Sequence, residues 1–271
     1  MKKFLLSVFV AAISLTAGAQ SALQRLDIFN HLALGVGVGT TGITIDAGTT
    51  ITPWVQLRAG ADIMPTLKLK TDLSIEEYDY TSSIGNYNRP SVSNIDVEGK
   101  LTNTTGHVLF DVFPITHLSS FHLTVGAYFG SSKLISAYNP NNFDALKDVY
   151  MFNNRMGSYS DVPYSEGRIG AILGDYAIEP DADGRVDASI RVQSFRPYVG
   201  LGFGRKIPKS RINCLFDLGV QFWGSPKVWN DTSHQQLTSE GAKGDDGGII
   251  RTISKISVYP VLSVKLVGRI F

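Results

Sequence analysis

The 271-residue chain lacks the features on which several large classes of protein depend. It contains a single cysteine, Cys214, so it can form no intramolecular disulfide and no cysteine-rich metal site. Its 25 Lys and Arg residues nearly balance its 24 Asp and Glu residues, which gives no support for a nucleic-acid partner. After Ala19 it has no apolar run of the ~20 residues that a transmembrane helix needs. If the chain enters a membrane, it does so with strands.

The first nineteen residues have the pattern of a secretory signal peptide. Lys2 and Lys3 precede an apolar run, Phe4 to Leu15, and a small-residue exit, Ala17-Gly18-Ala19. The pattern predicts cleavage after Ala19, which leaves 20–271 as the mature chain. An uncleaved anchor helix is the alternative, but its apolar run is too short to cross a bilayer.

Eight segments alternate large apolar residues with polar or small ones, as strands that cross a membrane do. They lie near residues 32–39, 43–48, 55–63, 95–113, 121–130, 198–204, 212–222 and 262–270. The fourth changes phase around 103–106, which we interpret as a β-bulge. The pattern predicts an all-β fold, a transmembrane antiparallel up-and-down β-barrel of eight strands. Ten strands is the main alternative, since 68–73 or 150–176 could add a hairpin.

The connections between these segments alternate between short and long. Short turns are predicted at 52–53, 114–119 and 206–210, and long outside loops near 65–94, 138–189 and 225–248. The tight turn at 40–41 is the exception. Outer-membrane barrels have short periplasmic turns and longer outside loops, so the short turns are expected in the periplasm. A secreted β-sandwich also alternates, but the Gly-rich faces opposite the aliphatics suit a narrow barrel lumen better.

Charged side chains recur on the predicted interior face of the barrel. The set is Asp46, Arg58, Asp62, Arg196, Asp217, Lys265 and Arg269. Eight strands leave an interior just wide enough for side chains to fill it, and charges withdrawn from water need partners. We predict a plugged lumen with an Arg/Asp network and a small conductance. The alternative is that these residues lie near the barrel ends in water.

Aromatic residues are predicted near both rims of the barrel, as interfacial girdles. They are Trp54, Phe113 and Phe121 at one rim and Phe222, Trp223 and Trp229 at the other. Exposed tyrosines on the long loops are plausible contacts for a surface ligand.

Three short motifs have rival interpretations. The run from Gly37 to Gly42 fits the dinucleotide fingerprint G-x-G-x-x-G, but a strand pattern rather than a helix follows it, so a hairpin turn is favoured. Asp181, Asp183 and Asp187 surround a Gly as in part of a calcium loop, but the full loop is absent and a surface turn is favoured. His117 and Ser119 have a spacing that suggests a lipid hydrolase, but no carboxylate is placed to orient the histidine.

Four segments resemble a family of bacterial outer-membrane β-barrel proteins in the size class of the OmpA, OmpX and OmpW barrels. They are Asp111-Val112-Phe113-Pro114, Pro197 to Gly204, Asp217 to Val228 and Tyr259 to Ser263. With the surrounding strands they cover about half of the mature chain. The resemblance implies the architecture, and it implies no activity and no site residues.

The terminal Phe271 follows an alternating strand pattern and resembles the signal by which the barrel-assembly machinery recognises such proteins. It lies one residue out of register with the apolar set of that strand. We expect an outer-membrane protein without a cofactor or enzymatic activity, in contact with membrane lipid and lipopolysaccharide. Its expected role is surface-loop binding or envelope integrity. The alternatives are a narrow pore or hydrophobic-solute conduit and, less favoured, a lipid-modifying hydrolase.

Overall fold

The computed structural model describes residues 31–77, 90, 92, 94–114, 120–156, 169–173, 176–205, 207, 211–237 and 253–270. The strands are β1 (Leu32–Gly39), β2 (Gly42–Thr52), β3 (Val55–Ile63), β4 (Leu67–Glu77), β5 (Asn94–Leu101), β6 (Thr104–Val112), β7 (Phe121–Gly130), β8 (Lys133–Tyr138), β9 (Ile169–Leu173), β10 (Tyr176–Ile178), β11 (Asp187–Arg191), β12 (Phe195–Phe203), β13 (Ile212–Phe222), β14 (Lys227–Asn230), β15 (Gln235–Leu237) and β16 (Val258–Arg269). A helix, α1, spans Phe143–Met156. The predicted signal peptide, His117, Ser119 and Phe271 lie outside the described residues.

Eight strands form one closed antiparallel barrel. Around the ring the order is β1, β2, β3, β6, β7, β12, β13 and β16, which pairs again with β1. Each strand thus pairs with the barrel strand that follows it along the chain, so the predicted eight-stranded up-and-down barrel is confirmed. The ten-strand alternative is wrong, because 68–73 belongs to β4 and the described residues of 150–176 belong to α1, β9 and β10, all outside the ring.

The two faces of the barrel follow from the period of two along each strand. On β13, for example, Phe216 and Leu218 are exposed on the outer face, whereas Leu215 and Asp217 are buried on the inner face. Large apolar residues cover the outer face of every barrel strand. They include Val36, Ile45, Ile63, Phe110, Leu123, Val125, Phe129, Phe195, Val199, Phe203, Phe222, Leu262 and Leu266.

The other eight strands form a second sheet, which we call the extension. Its order is β10, β9, β4, β5, β8, β11, β14 and β15. The predicted long connections contain β4, β9, β10, β14 and β15, whereas β5, β8 and β11 extend beyond the predicted bounds. Five of them, β4, β5, β8, β11 and β14, directly follow or precede a barrel strand. The extension therefore continues the barrel at one end, the extension end, and the opposite end is called the turn end.

The segment predicted as one bulged strand is two strands in different sheets. β5 pairs with β4 and β8 in the extension, and β6 pairs with β3 and β7 in the barrel. Between them, the Thr102 amide donates to Leu134 O (3.1 Å) and Asn103 O accepts from the Met64 amide (3.0 Å). The bulge interpretation was wrong because the phase change marks a break where the chain leaves one sheet for the other.

Helix α1 packs on one face of the extension. It starts directly after Asn142, which has a positive φ of 63°, and its apolar residues Leu146, Val149 and Phe152 recur at helical spacing. They pack on Ile95 and Val97 of β5, together with residues of β9 and β11, and form the core of the extension. The Asn153 amide donates to Ile169 O (2.8 Å), and its Oδ1 accepts from the Ile169 amide (2.9 Å). No helix within the described ranges is long and apolar enough to cross a membrane.

Candidate functional site

The interior of the barrel holds a network of charged side chains centred on Arg58. Its guanidinium is buried and makes a two-pronged contact with Asp217, with Nη1 donating to Oδ2 (2.6 Å) and Nη2 to Oδ1 (2.8 Å). Nη2 also lies 3.0 Å from Asp111 Oδ1. Thr124 accepts from Arg58 Nη2 (3.2 Å) and donates to the same Asp111 oxygen (2.8 Å). One guanidinium from β3 thus joins carboxylates from β6 and β13 across the lumen.

Asp217 collects further partners from the neighbouring strands. His122 Nε2 lies 3.1 Å from Asp217 Oδ1, and the other ring nitrogen lies 3.1 Å from Gly204 O. Lys265 Nζ is 3.9 Å from Asp217 Oδ2 and 3.2 Å from Asp46 Oδ2. Lys265 therefore connects the Arg58 cluster to a second group of buried side chains.

The second group surrounds Asp62. His107 Nδ1 lies 2.6 Å from Asp62 Oδ2, while the Thr41 and Thr44 hydroxyls donate to Asp62 Oδ1. His107 Nε2 lies 3.7 Å from Asp46 Oδ2. The side chains of all these residues are almost completely inaccessible to solvent. Because isolated buried charges are very costly, the alternation of cationic and anionic partners is what permits so many ionisable groups in one interior.

Apolar and aromatic layers also fill the interior, where they pack beside this network. Toward the turn end, Ala33, Ile207, Leu215 and Val267 form a buried cluster. The ring of Phe113 packs nearby, with its centroid 5.3 Å from that of His122 and 4.4 Å from Arg205 Cζ. Toward the extension end, the interior cluster consists of Leu109, Tyr128, Tyr198 and Val261. The lumen is therefore filled by side chains along its length.

The glycines of the inner face make room for these side chains. A Cβ on Gly202 would lie 2.4 Å from His122 Nε2, and one on Gly37 would lie 2.5 Å from Lys265 Cγ. Both distances are far below van der Waals contact. The small residues that alternate with the aliphatics in the sequence thus lie next to large polar residues of the adjacent strand.

Five of the seven charged residues expected in the lumen lie in this network: Asp46, Arg58, Asp62, Asp217 and Lys265. Arg269 does not. It is half-buried near the end of β16, where its backbone amide donates to Arg211 O (2.9 Å).

Arg196, another of the seven, is buried at the junction between barrel and extension. Its guanidinium donates to Gln193 O (2.9 Å), Asn103 Oδ1 (3.1 Å) and Ser131 O (2.7 Å). These three acceptors lie at the breaks between β11 and β12, β5 and β6, and β7 and β8. Arg196 therefore holds three strand breaks together instead of pairing with a carboxylate.

Sequence reasoning did not include Asp111, His107 or Thr124 in the lumen network. Asp111 and His107 lie on β6 at the positions that alternate with exposed Val108 and Phe110. That alternation in the sequence could have identified Asp111 and His107 as interior residues. The predicted aromatic rims are wrong for Phe113 and Trp223, which are buried. Trp229 lies on β14 of the extension, directly after the barrel strand β13. Trp54, Phe121 and Phe222 are exposed.

The local backbone bears on two of the three short motifs. Gly37 to Gly42 spans the end of β1, a two-residue turn and the start of β2, so the hairpin prediction is confirmed. Asp181 Oδ1 accepts from the amides of Asp183 (2.9 Å) and Arg185 (2.8 Å), as in a surface turn. In the described part of the chain, no group of three or more His, Cys, Asp or Glu residues is arranged to hold a metal.

The sequence matches no protein-family model and no curated protein. Similar solved structures are those of CarO2 and CarO from Acinetobacter baumannii and of a major outer membrane protein from Thermus thermophilus. CarO2 is 16% identical with a TM-score of 0.45, over 88% of this chain and 98% of that chain. CarO is 16% identical with a TM-score of 0.42, over 89% and 97%. The Thermus protein is 13% identical with a TM-score of 0.27, over 88% and 98%.

Proposed function

We propose that the protein is an integral outer-membrane barrel with a closed lumen that carries a folded binding module, the extension, on the outer side of the membrane. The observation that carries the proposal is the inverted distribution of polarity. The barrel exposes its aliphatic and aromatic residues, such as Leu218 and Phe222, and buries its charges, such as Arg58 and Asp217. Water-soluble barrels and sandwiches have the opposite arrangement.

Insertion in lipid explains both the apolar outer face and the charged interior of the barrel. An exposed apolar surface that runs around every barrel strand is far larger than the patches that soluble monomers present to water. Closure of the ring pairs the backbone of each strand on both sides, as lipid requires. The cleaved leader predicted at 1–19 and the alternation of short and long connections support the outer membrane as the destination.

The filled interior favours anchoring over transport. The ion pairs of Arg58 and Lys265 cross the lumen between strands, and the two apolar layers pack beside them. An ion that crosses the barrel would have to displace side chains in all three layers. We therefore assign the protein's interactions to the extension, where the sheet and α1 form a separate core, and propose no enzymatic role.

Conductance across planar bilayers tests this proposal. Refolded protein is expected to give no stable open-channel current, because the charged layer and both apolar layers obstruct the lumen. The double variant Tyr128→Ala/Tyr198→Ala removes only one layer, so it is also expected to remain silent.

Each preparation is first run on a gel with and without boiling, since a folded barrel migrates differently from the unfolded chain. This control ensures that silence does not come from failed insertion. A large and persistent current from folded wild-type protein would replace the closed anchor with a channel.

A further inference from the structure

A row of cationic side chains crosses five neighbouring strands of the extension in two offset parts. The row, which we call the interfacial band, consists of Lys68, Lys100, Lys133, Arg191 and Lys227. Strand pairing makes these positions neighbours across β4, β5, β8, β11 and β14: Lys68 is opposite Lys100, and Arg191 is opposite both Lys133 and Lys227. Lys100 is opposite Ser136 of β8, three residues along the strand from Lys133, so the row has two offset parts, Lys68 with Lys100 and Lys133 with Arg191 and Lys227.

The band lies on the outer face of the extension. On β5, Ile95 and Val97 point into the core beneath α1, so Lys100 and Glu98, which alternate with them, belong to the opposite face. The side chains of Lys68 and Lys133 are 58% and 43% exposed. The band is therefore accessible from outside the molecule.

Neighbouring groups hold the cations of the band in place. The Lys100 ammonium lies 4.4 Å from the centroid of the Tyr138 ring, and the Arg191 guanidinium lies 4.5 Å from that of Trp229. Such contacts orient a cation without neutralising it.

Carboxylates compensate only part of the charge of the band. Glu98 pairs with Lys68 (3.1 Å), while Asp231 is shared between Lys133 and Arg191 (2.6 Å to each). Lys100 and Lys227 form no ion pair with a carboxylate among the described residues. Three of the five cations thus form ion pairs with two carboxylates, and Asp187 adds a third acid whose charge interacts with Lys133, which leaves an excess of positive charge.

We call the exposed large apolar residues on the outer face of the barrel the apolar belt. The position of the band relative to this belt indicates which ligand the band faces. On four strands the cation comes four or five residues beyond the last exposed large apolar residue of the adjoining barrel strand, as Lys68 does beyond Ile63 and Lys133 beyond Phe129. Lys100 comes eight residues beyond Val108, but it lies directly opposite Lys68. On tilted strands this is a height of about 10–13 Å. Lys and Arg side chains can reach back toward the interface from that height. The band therefore faces the headgroup layer of any bilayer that surrounds the belt.

We propose that the interfacial band binds the phosphate groups of the glycolipid in the outer leaflet. The inference rests on the proposed membrane insertion and assigns a lipid partner to the outer face of the extension. Lys and Arg next to an anionic lipid surface each contribute to binding, and phosphate oxygens accept hydrogen bonds from both. The ordered ring–cation pairs and the two uncompensated lysines supply the complementary charge.

Binding of lipid A to refolded protein in neutral detergent, followed by native mass spectrometry, tests the proposal. Diphosphoryl lipid A is compared with a dephosphorylated form that carries the same acyl chains. We expect the diphosphoryl form to bind about tenfold more tightly or better. The variant Lys100→Gln/Lys227→Gln is expected to lose most of that preference. The matched control, Lys147→Gln/Arg155→Gln on α1, removes the same charge away from the belt and should retain it.

Three outcomes would overturn the lipid assignment. The first is equal binding of the diphosphoryl and dephosphorylated forms. The second is an equal loss of the phosphate preference in the band variant and in the α1 variant. The third is displacement of lipid A by millimolar inorganic phosphate, which would indicate a site for the free anion. Heat-modifiable mobility and conductance are recorded on the same preparations. A folded, silent barrel with no phosphate preference would refute this inference and leave the proposed function intact.

Discussion

Asp217 shows at the level of single residues how the barrel retains charge without water. The two-pronged contact with Arg58 satisfies both carboxylate oxygens, and His122 and Lys265 approach from other strands. The desolvation of each ion is offset only while its partners remain in position. The network is therefore sensitive to the loss of any one central member.

Replacing Asp217 by Asn is expected to lower the free energy of unfolding by about 3 kcal/mol, because it leaves Arg58 as a buried cation with Asp111 as its one remaining anionic partner. Urea unfolding of the protein in vesicles, followed by tryptophan fluorescence, measures the change. Asp144→Asn is the control, since that side chain is 99% exposed, and its effect should stay within about 0.5 kcal/mol. Equal effects of the two variants would contradict the account of the network.

The turn after β14 shows at the level of elements how the extension strands are tied together. Burial raises the pKa of Asp231, but hydrogen bonds from Lys133, Ser189 and Arg191 outweigh it, so the pKa lies below its ordinary value of 3.8. The same carboxylate therefore links β8, β11 and β14. Burial and the charge of Asp231 act on Asp187 in the opposite direction and raise its pKa.

The link that Asp231 makes between the extension strands is expected to weaken in acid. An acid with a lowered pKa in the folded state stabilises that state above the ordinary pKa, and the stabilisation is lost as the pH falls below 3.8 toward the folded pKa. Hydrogen exchange of the β11 and β14 amides as a function of pH measures this. In Asp231→Asn the β11 and β14 amides should already exchange faster at neutral pH. Their protection from exchange should then fall less steeply as the pH is lowered. An unchanged profile in that variant would exclude Asp231 as the tie.

In the molecule as a whole, a single layer of strands separates the apolar outer face of the barrel from its charged lumen. Leu218 is exposed on the middle of β13, and Asp217, its neighbour, is buried in the lumen. Seen from outside, the barrel is apolar around its full circumference, while polar groups dominate the outer face of the extension above it. This division predicts how deeply each part of the chain lies in a bilayer.

A fluorescent label at position 218 is expected to be quenched by brominated lipid tails. The label is attached to Leu218→Cys in a Cys214→Ser background, which is unambiguous because Cys214 is the single cysteine. A label on Lys147→Cys of α1 should instead be quenched by aqueous iodide. Iodide quenching at both positions would mean that the outer face of the barrel lies in water, and the membrane assignment would fail.

Much of the barrel was predictable, because alternation with a period of two is a local property. β1, β3, β7 and β13 lie where their apolar residues recur at every second position. The same alternation placed Arg58 and Asp217 on the inner face. The break at Thr102 and Asn103 was misread, since a change of phase looks the same in a bulged strand and in a chain that moves between two sheets.

The sequence by itself determined which face of each barrel strand is apolar, because side chains alternate strictly along an extended backbone. It also favoured eight strands, since each crossing needs its own alternating segment, but the tertiary structure excluded the ten-strand alternative. Only the tertiary structure decided the pairs: Arg58 with Asp217 is a contact 159 positions apart in the chain, and Arg196 gathers three strand breaks. Ring closure and the second sheet bring these groups together, and no local pattern encodes distances between remote residues.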